Sequence, residues 1–184
     1  ISSKSMRTLN NPKKTTRAMS ATILALDPGL RELGYAVLAG TKLVTSGVAA
    51  LRFTARSKRL QEAQTLVASW IRLYGPQTLV LEQAPAHPTT ALQRVHRCAQ
   101  AVEQSAKRRG ITVATYSAQI VRKHLVGDGW ASKKEIAQAI ARQYPVLRVY
   151  LTQDRAWKER YWHNMFDAIA LALPLPIPGT NAIF

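Results

Sequence analysis

The stretch from residue 22 to residue 51 limits the fold most, because it holds three apolar runs with almost no chain between them. "TILALD" is a short apolar run closed by Pro28 and Gly29, a pair that cannot continue a strand and favours a turn. "ELGYAVLAG" and "KLVTSGVAAL" follow after short links that contain glycine. Links this short join antiparallel neighbours, so the pattern predicts a meander over residues 21–28, 32–40 and 42–51.

The period then changes from two to between three and four. Leu60, Ala63, Leu66, Val67, Trp70, Ile71 and Tyr74 recur at helical steps, which predicts an amphipathic helix over 56–74. "TLVLEQ" is a fourth strand, so continuously apolar that both its faces should be covered. Leu92, Val95, Ala99, Val102 and Ala106 stripe the next helix, 89–109, with Gly110 as its stop before the strand "ITVATY". Ser117 can cap a short helix through Val126, and "GDGWAS" reads as a loop. Ser132 with Glu135 makes a capping box that opens a helix running to Pro145. A last helix is expected from about Arg160 to Leu173, ended by "PLPIP". The order predicts an α/β fold: a mixed five-stranded sheet, three antiparallel strands and then parallel strands reached by helical crossovers, flanked by helices.

Length and 47% hydrophobic content suit one domain. It is expected over residues 21–174, between a disordered basic tail with vector-derived residues (1–20) and a C-terminal tail (175–184). No apolar run reaches membrane-spanning length, and no signal peptide is recognisable, so neither a membrane nor secretion is expected. Cys98, the single cysteine, forms no internal disulfide, cannot build a cysteine zinc site and is expected in the core; the cytosol or nucleoid is the expected compartment. Lys and Arg total 26 against ten acids, a net charge of +16, which points to a polyanion and above all to nucleic acid. Without Lys4, Arg7, Lys13, Lys14 and Arg17 of the tail, 21 cations still face ten acids.

In so basic a chain, three acids stand in apolar settings: Asp27 and Glu82 at strand ends and Asp167 inside "NMFDAIALAL". A carboxylate out of water costs several kcal/mol unless a cation, a hydrogen-bond network or a metal compensates it, about as a rule of thumb. Sites in open α/β sheets form outside the carboxyl ends of the strands, where Asp27 and Glu82 project, and a late helix crossing that edge would bring Asp167 to them. Clustered carboxylates suit hard divalent cations such as Mg²⁺, and a pair of ions about 3.5–4 Å apart would serve phosphoryl transfer. The bland alternative is an Asx-turn at Asp27, an Arg partner for Glu82 and a solvated helix position for Asp167.

Four motifs then resemble those of the RuvC-like Holliday junction resolvases of the RNase H-like superfamily: "LALDPGLRELGYAVL", "LVLEQAP", "VRKHLVGDGWASKKEIAQAI" and "HNMFDAIALAL". They occur in the family's order and span about residues 21–173. The resemblance implies an RNase H-like fold and a homodimeric crossover junction endodeoxyribonuclease that cuts four-way DNA junctions with Mg²⁺ or Mn²⁺, two ions per site, alongside a branch-migration helicase. It carries over Asp27, Glu82 and Asp167 as catalytic metal ligands, Arg122 and Lys133 as contacts to the DNA backbone, and helix 89–109 as the dimer contact. Lys123 and Lys134 flank the same glycine-containing loop and join them as DNA-binding candidates.

Two positions depart from the pattern. Where the family has an Asp or His three residues before its last acid, this chain has Asn164, with His163 beside it. Either His163 takes the role, or Asn164 coordinates through its amide oxygen, or the Asn replaces an acid by design. After Glu82, where some members insert an aromatic into the junction, the chain has "QAPAHPTT", leaving Pro85 or His87 as wedge candidates.

Arg94, Arg97, Lys107, Arg108 and Arg109 are either phosphate contacts or a solvated helix face, and Trp130, Trp157 and Trp162 either stack on bases or anchor packing. His96 and His124 have no expected catalytic role. Two other functions stay open at this point. One is a non-catalytic binder of structured DNA; the other is an RNase H-like nuclease acting on RNA–DNA hybrids or on transposon or phage DNA. An organelle likewise stays open as the compartment.

Overall fold

The computed structural model describes residues 21–83, 89–151 and 156–173; the side chains of 91, 92, 94 and 156–160 lie outside that description. Five strands, β1 (Thr22–Pro28), β2 (Glu32–Ala39), β3 (Lys42–Ala50), β4 (Thr78–Glu82) and β5 (Thr112–Tyr116), form one sheet in the order β3-β2-β1-β4-β5. β1, β2 and β3 pair antiparallel, whereas β4 pairs parallel to β1 and β5 parallel to β4. The mixed five-stranded sheet expected from the sequence is therefore present. β4, continuous in apolar residues, is buried from Thr78 to Leu81.

Five α-helices follow the expected order: α1 (Arg56–Tyr74), α2 (Thr90–Lys107), α3 (Ala118–Val126), α4 (Lys133–Gln143) and α5 (Ala156–Ala172). The capping box forms as read: Ser132 Oγ accepts from the Glu135 N–H at 3.3 Å, and Glu135 Oε2 accepts from the Ser132 N–H at 2.7 Å. Ser117 caps α3 singly, its Oγ accepting from the Ile120 N–H at 3.3 Å. Several boundaries differ, α2 closing at Lys107 rather than at 109 among them. α5 starts at Ala156 rather than near Arg160, since the charged first turn hides its period, and Pro145–Tyr150 forms a 3-10 turn with proline at its start.

Side chains alternate across each strand, so the sheet carries two cores. Leu24, Leu26, Leu33, Val37, Leu79 and Leu81 pack on one face with Val67 of α1 and with Val102 and Ala106 of α2. Ala25, Ala36, Leu38, Val80 and Ala114 face α3, α4 and α5 on the other. On α5, Met165, Phe166 and Ala168–Ala172 are all buried, as is Leu173 just after it. Tyr161 Oη donates to the Val48 carbonyl at 3.0 Å, tying the outer part of α5 to β3.

Small residues on β1 and β2 let α5 come this close. Ala25 pairs with Ala36, and Asp27 pairs with Gly34. A Cβ on Gly34 would stand 2.1 Å from the Asn164 carbonyl oxygen, a distance no side chain tolerates. The backbone of α5 therefore rests on β2 at the residue beside Asp27.

Candidate active site

Strand parity sets the first two acids side by side. β1 and β4 are in parallel register, with Ala25 opposite Val80 and Leu26 opposite Leu81. Asp27 and Glu82 each lie two residues beyond the pair Ala25 and Val80, so they leave adjacent strand ends on the same sheet face. That is the face α5 covers, and it delivers Asp167 to the same edge.

The electrostatics register this crowding. Burial, and then the charges of Asp167 and Glu82, push Asp27 up to about 8, with Lys133 opposing and Glu32 adding to the rise. Glu82, exposed at the strand end, is also raised, by desolvation first and then by Asp167, against the pull of Lys133 and Arg122. Lys133 bonds through its ammonium to Asp167 Oδ2. Burial would lower Lys133, but the charge and hydrogen bond of Asp167, helped by Asp27 and Glu82, hold it above its ordinary value. A small depression of about 90 Å³ is lined by Glu82, Arg122, Lys133 and Asp167 over apolar Val121 and Ile136.

Three carboxyl groups gathered at one edge, with Asp27 driven toward its neutral form by burial and by the other two, are an oxygen-donor set that fits a hard divalent cation. As the side chains stand, no three acidic, imidazole or thiol groups among the described residues converge on one ion position. Lys133 sits on Asp167 instead, which gives this lysine a place inside the acid cluster besides the backbone contact expected from the sequence.

Asn164 and His163 part company in space. The Asn164 amide lies against the turn after Asp27, its Nδ2 being 3.3 Å from where a Gly29 Cβ would sit. His163 lines a different depression with Lys134, Tyr150, Trp162 and Phe166. Lys123 and Lys134 are exposed and Arg122 is half-buried. Pro85 and His87 lie outside the described residues, as do the two tails, 1–20 and 175–184.

The remaining candidates separate as well. Trp162 packs on Tyr150, with ring centroids 4.3 Å apart, whereas Trp130 is 81% exposed. Lys107 pairs with Glu103 of its own helix at 2.6 Å, and Arg109 donates to the Ser105 carbonyl at 2.8 Å. Cys98 is not in the core. It is half-buried and lines a cleft of about 290 Å³ with Arg31, Arg56 and Arg59. Arg59 and Gly34 escaped the sequence reading. Arg59 donates to the carbonyls of Leu30 (3.1 Å) and Thr54 (2.9 Å), bracing the turn after Asp27, and a helical polar position gives no hint of that. The signal for Gly34 was its place one residue before Tyr35 in a strand, where glycine marks close backbone approach.

The family model of the crossover junction endodeoxyribonuclease RuvC matches residues 23–173. The chain belongs to the RuvC family. It is 33% identical over 163 residues to the RuvC of Maricaulis maris, covering 85% of this chain and 90% of that protein. The Thermus thermophilus RuvC structure superposes with a TM-score of 0.64 at 22% identity, covering 82% of this chain and 90% of the other. T. thermophilus RuvC in complex with Holliday junction substrate gives 0.63 at 20% identity, with 83% and 90% covered. These likenesses bear out the RNase H-like fold, and RuvC family membership carries metal-dependent endonuclease chemistry with it. Neither alternative function is favoured by them.

Proposed function

We infer that this chain is a structure-selective endonuclease that resolves four-way DNA junctions by metal-dependent phosphodiester hydrolysis. The observation that carries the reading is the convergence of Asp27, Glu82 and Asp167 on one sheet edge in a RuvC family chain with a net charge of +16. Asp27, Glu82 and Asp167 hold Mg²⁺ or Mn²⁺, two ions per site, and Asn164 completes the set in preference to His163, because Asn164 abuts the Asp27 turn. When bound, such ions lower the pKa of an attacking water and neutralise charge developing on the phosphate.

The protein's own groups do the rest. β1 fixes the backbone of Asp27 in register against β2, which mounts its carboxylate at the strand end. Lys133 and Arg122, beside the acids, draw a phosphate into a depression that the carboxylates alone would repel. Lys123 and Lys134 extend the cationic surface along the backbone of the substrate, and Pro85 or His87 serves as the wedge at the branch point. Residues 21–174 constitute the nuclease domain. Two copies pair through α2 to cut symmetrically placed strands, in the cytoplasm at the nucleoid, and a branch-migration helicase supplies the mobile junction.

Cleavage of labelled fixed and mobile four-way junctions, linear duplex and RNA–DNA hybrid, each with Mg²⁺, Mn²⁺ or EDTA, tests this. Paired symmetric nicks on junctions alone, lost in EDTA, are expected. Junction binding without cutting would return the reading to a non-catalytic binder, and preferred cutting of the hybrid to a different nuclease.

A further inference from the structure

Trp130 is the most exposed of the large hydrophobic residues described, at 81%. An indole left in water gains nothing for the fold, yet its loop is firmly seated. The backbone N–H of Trp130 donates to Asp128 Oδ1 at 2.8 Å, and Gly127 closes α3 in the left-handed region with φ 81°. Gly129 lies so tight on α3 that a Cβ there would stand 2.8 Å from Gln119 Cγ. Ala131, the next residue, is buried. The chain therefore holds the backbone on both sides of Trp130 and displays the ring.

The surroundings say what the ring is displayed to. Trp130 lines a shallow depression of about 350 Å³ with Ile120, Lys123 and Gln119. Ile120, 53% exposed, is the other large apolar side chain there. One indole and one isoleucine bordered by lysine make too small an apolar face for a protein partner, which needs a few hundred Å² or about that. They suit a single nucleobase whose phosphate meets the ammonium. Three residues later comes Lys133, on Asp167, so the two Cα atoms lie within about 11 Å, or about three stacked nucleotides.

We propose that Trp130, with Ile120 and Lys123, is a stacking platform for one nucleobase of the DNA strand that enters the Asp27–Glu82–Asp167 edge. The platform grips a base near the scissile phosphate and fixes the strand's register. Base stacking holds sequence-independent affinity, while the neighbouring lysines supply the salt-dependent part. The proposal rests on the DNA-cleaving reading above.

The test measures binding of the full chain to a fluorescent four-way junction in EDTA, across a salt series, for wild type, W130A and W130F. W130A is expected to bind about tenfold more weakly with an unchanged salt slope, since no charge is lost, while W130F stays within about twofold. Addition of junction quenches the red-edge tryptophan emission of the wild type and not that of W130F. Unchanged affinity in W130A, a loss in W130F equal to that in W130A, or quenching that persists in W130F overturns the platform. A wild type that binds duplex or single strand as well as junction sinks the resolvase reading instead, and the three proteins compared on that DNA still decide the stacking. A wild type that binds no DNA sinks both.

Discussion

The two faces of the sheet are built by opposite rules. Toward α1 and α2 the strands present Leu24, Leu26, Leu33, Val37, Leu79 and Leu81, large side chains that fill space and hold the helices off the backbone. Toward α5 the same strands present Ala25, Gly34 and Ala36, and then Asp27 at the edge. The first face gains stability from apolar area. The second gives up side-chain volume so that a helix can lie against the strands and carry Asn164 and Asp167 to Asp27. Both arise from one alternation and both build a core, yet only the second also gathers acids at its edge.

The contrast is broken most forcefully at the acids. D27N and D167N are each expected to lower junction cleavage by about three orders of magnitude or more, while melting stays at or above the wild-type temperature. Retention of cleavage within tenfold would remove that residue from the site.

The next largest effects separate the two faces. L79A empties a fully buried position and should cost about 2–5 kcal/mol in denaturant unfolding, with the folded fraction still cutting at the wild-type rate. G34A should cost less, about 1–3 kcal/mol, because only a backbone shift of α5 can relieve its contact with Asn164. Its cleavage should nevertheless fall well beyond the loss of folded protein. Equal specific activity in the two variants would erase the functional difference between the faces.

The remaining effect concerns pH. Asp27 lies at about 8 in the fold against an ordinary 3.8, so the folded chain binds a proton that the unfolded chain releases. Its contribution to stability is present below about 4 and is lost as pH rises toward 8. In EDTA, the stability of wild type relative to D27N should therefore fall between pH 5 and pH 8. A flat difference would mean that neither burial nor the neighbouring acids hold Asp27 protonated.

Much of this was legible before any coordinates. Period two, then period three to four, located the strands and most helix boundaries, and the capping box at Ser132 was read from two residues. The site was only partly legible. Asp27 and Glu82 could be placed at strand ends because strand ends are local, but Lys133 on Asp167 joins residues 34 apart and no spacing rule predicts it. Likewise three tryptophans looked alike in the sequence; Trp162 found two tyrosines to pack on, whereas Trp130 found none among the described residues.

By itself, the sequence determined the elements, their order, the sheet's mixed character and the acids' mounting on apolar strands, because backbone geometry ties these to local alternation and turns. Only the tertiary structure decided which of Asn164 and His163 meets the Asp27 turn. Both lie on one helix within one residue of each other, and a difference of about 100° around the helix axis is settled by how α5 seats on Gly34, a contact between segments far apart in the chain.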